Sequence, residues 1–151
     1  MIAGDGPERG ELEAHAARLG VSDRVHFLGQ VRHDRLPDVY SAADALVLAS
    51  SSEGWPNVLL ESMACGTPVV STDVGGASEM VCTPEAGTII GERSSDAIAA
   101  ALHTLLAAPG DRDATRRHAE RFSWDETTRG QEQLFESLHE APQGVHLKSS
   151  S

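Results

Sequence analysis

The chain is short of positive charge. Against 23 Asp and Glu it carries 12 Lys and Arg, a formal net charge of −11. That balance argues against nucleic acid or an anionic membrane surface as a partner, because both need a basic face. Any anionic ligand would have to be met by positive charge supplied locally. Long apolar runs are missing too: none approaches the roughly 18 residues of a membrane-spanning helix. The first residues show no basic region followed by an apolar stretch, so no signal peptide is expected. Cysteine is scarce. Cys65 and Cys82 lack a Cys-x-x-Cys spacing and read as reduced packing residues, which points to the cytoplasm. The seven histidines fall in no His-x-x-x-His or Glu-x-x-His spacing, so neither a metal nor any other cofactor is expected. Gly4-Asp5-Gly6 lacks the third glycine of a dinucleotide fingerprint, with Arg9 in its place, and reads as a turn.

What is present fits one soluble globular domain: 151 residues, 40% of them hydrophobic. Ile2-Ala3 is a strand, followed by a helix from Pro7, which suits the first helical position. That helix runs to about Leu19 with Leu12, Ala16 and Leu19 on one face, and Gly20 stops it. Val25 to Leu28 is a second strand and Leu36 to Ala43 a short helix. Ala45 to Ala49 is a third strand and Pro68 to Ser71 a fourth, with a loop and helix between them. Ala77 to Val81 is a short helix and Ala86 to Ile90 a last strand. Ser94-Ser95-Asp96 caps a helix of alanines and leucines reaching Ala107. A polar helix then runs to about Arg121. Ser123-Trp124-Asp125-Glu126 forms a capping box before a helix ending near Leu138. Residues 1–140 are expected to form the domain, with 141–151 a disordered polar tail. Strands alternating with helices imply an α/β, Rossmann-like parallel sheet covered on both faces, with ligands beyond the carboxyl ends of its strands.

The stretch Ser50 to Val70 concentrates the chemistry. A strand leads into a loop holding Gly54 and Pro56, then into a helix whose start attracts anions through its free N–H groups and dipole. Glu53 and Glu61, with seven residues between them, bracket that corner. Glu61 lies one turn into the helix and could reach back toward a ligand on the helix start. Trp55 could shield the pocket or merely cover the core. Gly75-Gly76 could be a plain turn or a point of close backbone approach to a ligand.

These residues resemble a known family. Ile2 to Pro7, Val25 to Gly29, Tyr40 to Asp44, Glu53 to Glu61, Met63 to Val70, Thr72 to Gly76, Gly87 and Phe122 to Trp124 are similar to the C-terminal, donor-binding domain of family 4 glycosyltransferases, retaining enzymes of GT-B fold. The resemblance implies that Glu53 contacts the donor sugar hydroxyls and is the catalytic residue of the pair. Glu61 would bind the ribose hydroxyls. The backbone of Gly54, Trp55, Pro56, Asn57, Val58 and Leu59 would meet sugar and pyrophosphate, and Gly29 to Val31 would line the base. Transfer would proceed with retention, the leaving diphosphate being stabilised electrostatically rather than by metal. The partners implied are a nucleotide-diphosphate sugar and an N-terminal acceptor domain, placing the complete enzyme in the cytoplasm or on the inner face of its membrane.

The departures from the family carry their own expectations. No residue here matches the family's Gly-Arg and Lys-Gly segment, whose cations neutralise the pyrophosphate. Each lost charged hydrogen bond weakens binding by about 1.5–3 kcal/mol. The strand preceding Ile2 in the family would lie centrally, between the Ile2 and Leu46 strands. Without it the two strands pair directly, a partner lends a strand, or the chain folds poorly. The leading expectation is a truncated donor-binding half with little or no turnover alone. A non-catalytic subunit pairing with a separate acceptor-domain protein is the alternative. A binding fold without a sugar role is a third reading, in which Glu61→Ala leaves nucleotide affinity unchanged.

Overall fold

The computed structural model describes residues 1–122. The expected capping box at Ser123, the helix to Leu138 and the polar tail lie outside them. Five strands alternate with helices: β1 (Ile2–Ala3), α1 (Arg9–Arg18), β2 (Phe27–Gly29), α2 (Leu36–Ser41), β3 (Leu46–Leu48), α3 (Asn57–Ala64), β4 (Val69–Thr72), α4 (Ala77–Met80), β5 (Gly87–Ile90), α5 (Ser95–Ala107) and α6 (Arg112–Ala119). The α/β class and the parallel pairing are as expected.

The strands form two sheets. β1 pairs with β2, and β3, β4 and β5 pair in that order, all parallel. No pairing joins β1 to β3 among the described residues. Between them lies a cleft of about 960 Å3 whose walls include Ile2, Ala3, Leu46, Val47, Leu48 and, from α5, Leu102 and Leu106. Of the three outcomes expected for these strands, direct pairing does not occur.

The core sits under the three-stranded sheet. All four residues of β4 are buried, as in a strand covered on both faces. Val69 joins Leu59, Met63, Ala77, Met80, Val81, Ala86 and Ala119 in one cluster, with Leu46, Leu48, Leu60, Ile89 and Phe122 at its margin. The next residue, Val70, points to the other face, where α5 packs on β4 and β5. Full burial of a side chain such as Leu59 is worth about 1.5–3 kcal/mol.

Local signals behave as the sequence suggests in some elements and not in others. Ser94 caps α5 by accepting from the Ala97 N–H at 3.2 Å. Gly66, at φ +76°, ends α3 in a Schellman turn: its N–H donates to Met63 O at 2.8 Å, and Thr67 N–H donates to Ser62 O at 3.0 Å. Pro7, in contrast, lies in the turn before α1, which begins at Arg9. Only Ala16 of the expected α1 face is buried; Leu12 and Leu19 are exposed, with no further layer over that helix among the described residues. Cys82 is also exposed, and so is not a core residue.

The polar α6 is fastened down by its own side-chain donors. Thr115 Oγ1 donates to Glu85 O at 2.7 Å. His118 pairs through Nε2 with Met80 O at 2.7 Å and through Nδ1 with the Thr83 hydroxyl at 3.2 Å. Arg116 Nε donates to Ala64 O at 3.0 Å, near the carbonyl end of α3, where a cation also suits the helix dipole.

Candidate functional site

The chain between β3 and α3 emerges at the carboxyl end of a parallel strand, where open α/β sheets bind ligands. Its first acid, Glu53, is exposed and accepts from the Ser50 hydroxyl at 2.8 Å. Ser50 is itself anchored, since the buried Thr72 donates from Oγ1 to Ser50 O at 2.7 Å. A hydroxyl on β4 thus sets the backbone that orients Glu53.

Gly75 and Gly76 complete the clasp. A Cβ on Gly75 would overlap the carbonyls of Gly54 and Glu53, and one on Gly76 would overlap the Trp55 ring. Gly76 N–H donates to Gly54 O at 3.3 Å. The close approach that the glycine pair allows is therefore to residues 53–55. Trp55 sets its six-membered ring against Gly76 and remains 48% exposed, so it covers the loop junction rather than the core. Pro56 behind it is buried, and Asn57 is exposed.

No side chain caps the start of α3. Its first turn bonds locally: Asn57 N–H donates to Trp55 O at 2.9 Å and Leu59 N–H to Pro56 O at 3.0 Å. Leu59 anchors the helix in the core with no exposed area, while Val58 lines the cleft between the sheets. One turn into α3, Glu61 is half-buried, and the buried Tyr40 donates from its hydroxyl to Glu61 Oε2 at 2.9 Å. Burial, and then the Glu61 carboxylate, push the Tyr40 phenol well above its ordinary range. It stays protonated and donates.

Gly29 ends β2 on the other sheet, and Val31 lies in the loop just beyond it. Gly29 turns the chain at φ +65° and accepts from the Gly4 N–H at 2.8 Å. Val31 and Gln30 line the same cleft as Val58 and Tyr40. The structure therefore brings Val31, Tyr40 and Val58 to one opening and gathers Glu53, Gly54 and Trp55 against Gly75 and Gly76. Neither glutamate is among the residues lining that cleft; Glu61 is linked to it through Tyr40. Among the described residues no three His, Cys, Asp or Glu side chains converge as metal ligands, and no helix is long and apolar enough to cross a membrane.

Sequence reasoning did not single out Ser50, Thr72 or Tyr40 as supports of the acids. Only the short spacing from Ser50 to Glu53 was a possible signal. Thr72 and Tyr40 are 22 and 21 residues from their partners, so only folding brings them there.

A parallel α/β unit with its acids on the loop and helix that follow β3, at the edge of the three-stranded sheet, defines a class of ligand-binding Rossmann-like domains. Solved structures narrow it. The chain superposes on sucrose-phosphate synthase from Thermosynechococcus elongatus with a TM-score of 0.76 at 34% identity, covering 91% of this chain and 36% of that one. It superposes on Anabaena HepE in complex with UDP with a TM-score of 0.75 at 28% identity, covering 89% and 40%. The family model of glycosyl transferases group 1 matches residues 1–122, and the chain belongs to that family. A D-inositol 3-phosphate glycosyltransferase of Rhodococcus jostii is 40% identical over 130 residues, 83% of this chain and 28% of the relative. The corresponding protein of Rhodococcus erythropolis is 38% identical over 149 residues, 92% of this chain and 32% of the relative. The chain thus spans about a third of the length of the curated relatives it matches.

Proposed function

We propose that this chain is the nucleotide-sugar-binding part of a retaining glycosyltransferase that uses the Glu-x7-Glu pair. The observation that carries the reading is Glu61, held on α3 by a bond from Tyr40 at 2.9 Å beside an uncapped helix start. Acids repel phosphate, so the two carboxylates accept from hydroxyls while the backbone from Gly54 to Leu59 faces the diphosphate. In this reading Glu53 takes the sugar hydroxyls, Glu61 the ribose hydroxyls, and Gly29 and Val31 the base. That HepE was solved with UDP supports a uridine diphosphate ligand. No metal enters the scheme; charge on the leaving diphosphate is met by N–H groups and by cations from further polypeptide. Among the described residues the edges of β1 and β3 carry no further strand, which favours a site completed by that polypeptide, whether an acceptor domain or a separate subunit.

Calorimetric titration with a panel of nucleoside diphosphates tests the reading. UDP binding that Glu61→Ala weakens by about tenfold or more is the expected result. An unchanged affinity in Glu61→Ala, or no binding of any nucleotide at millimolar concentration, overturns it for this chain.

A further inference from the structure

We propose that Tyr40 is a positioning residue that holds one oxygen of Glu61 and leaves the other to accept from vicinal hydroxyls of the ligand. The inference rests on the nucleotide-sugar reading and adds to it a residue from a different helix. Tyr40 is 7% exposed and sits near the end of α2, and its hydroxyl donates to Glu61 Oε2 at 2.9 Å. A carboxylate is acceptor-only, with room for about four hydrogen bonds on two oxygens. Occupying Oε2 from below fixes the rotamer and leaves Oε1 as the acceptor for a ligand.

The support is itself immobilised. Tyr40 O accepts from Thr67 Oγ1 at 2.7 Å, in the turn that ends α3. Arg112 on α6 reaches the same hydroxyl with Nη2 at 2.7 Å and donates to Ser41 O and Ala43 O at 3.0 Å each. Tyr40 therefore cannot move away from α3 without breaking bonds from two other elements. A carboxylate fixed in this way discriminates by hydroxyl count, since a ligand lacking one hydroxyl leaves an acceptor unpaired.

The test compares UDP with 2′-deoxy-UDP on the full chain, by calorimetry or ligand-observed magnetic resonance. The wild-type chain should prefer UDP by about tenfold, the scale of one lost hydrogen bond to a charged group. Tyr40→Phe keeps the ring in its place. It should lower UDP affinity several-fold, leave 2′-deoxy-UDP affinity unchanged and so shrink the preference. Glu61→Ala should erase the preference. A Tyr40→Phe chain with the wild-type preference overturns the positioning role and leaves the site reading intact. A Glu61→Ala chain that keeps the preference, or a wild-type chain without one, overturns the site reading and the positioning role with it. Tyr40 is the only tyrosine, so its ionisation can be followed by phenolate absorbance without a ligand. Glu61→Gln should bring that titration to lower pH, and an unmoved midpoint also overturns the proposal.

Discussion

Arg112 places a guanidinium nitrogen 2.7 Å from the hydroxyl of Thr67, joining α6 to the turn that closes α3. The same side chain donates to the carbonyls of Ser41 and Ala43 and, at 3.4 Å, of Cys65. One planar fork thus ties together the ends of two helices that carry Tyr40 and Glu61. Arg112→Ala should lower the unfolding free energy by about 1.5–3 kcal/mol, the scale of hydrogen bonds from a charged donor. Arg112→Lys should recover only part, because an ammonium cannot reproduce the fork. Urea unfolding of the three chains reads both effects, and a Lys variant equal to wild type would show that charge alone matters.

The contact between Trp55 and Gly76 predicts a coupled pair. Gly76→Ala drives a methyl group into the indole and should destabilise the loop 53–57 while displacing Trp55. Overpacking of this kind costs about 1–3 kcal/mol. Trp55→Ala removes the obstacle, so the double variant should cost less than the sum of its singles. Thermal unfolding across the double-mutant cycle measures the coupling, and strict additivity would mean that the loop relaxes without help.

Stability should be uneven along the chain. The main core cluster draws on residues from Leu59 to Ala119, whereas before Tyr40 the only buried hydrophobic residue is Ala16. Few buried contacts and a short two-stranded sheet place β1, β2 and α1 at the low end of local opening free energies. Native-state hydrogen exchange should find the amides of β4 and α3 most protected. Those of β1 and β2 should exchange well before global unfolding. Equal protection in both sheets would refute this.

Alkaline pH should unfold the chain in part through Tyr40. Burial and the Glu61 bond raise its folded-state pKa above the unfolded value of about 10. The sign follows by linkage: the folded chain holds the phenolic proton more tightly. The contribution is fully present below about pH 10 and is lost as pH rises through the folded-state value. Denaturant midpoints measured from pH 8 to pH 11.5 should fall above pH 10 more steeply in wild type than in Tyr40→Phe. Parallel curves would remove Tyr40 from the account.

The sequence by itself determined the kind of fold and marked a candidate site. Alternating apolar runs and turn residues required parallel strands crossed by helices. The order of charges, Gly54, Pro56 and the helix start marked the corner at Glu53 and Glu61. Those features are local, and local spacing is what a linear pattern carries. Ser94 was legible as a cap for the same reason, because its partner is three residues away.

Tertiary structure decided what the acids rest on. Tyr40 and Glu61, Thr72 and Ser50, and Arg112 and Thr67 are each more than 20 residues apart, and no periodicity announces them. It also decided the meaning of ambiguous residues. Gly75-Gly76 admits the backbone of Glu53 and Gly54 and the ring of Trp55, Trp55 covers that junction, and the polar α6 is bound by donors to carbonyls rather than left in solvent. That β1 and β3 do not pair with each other among the described residues belongs to the same level. Whether two strands meet depends on how every intervening helix packs, and that is a property of the whole chain rather than of any stretch within it.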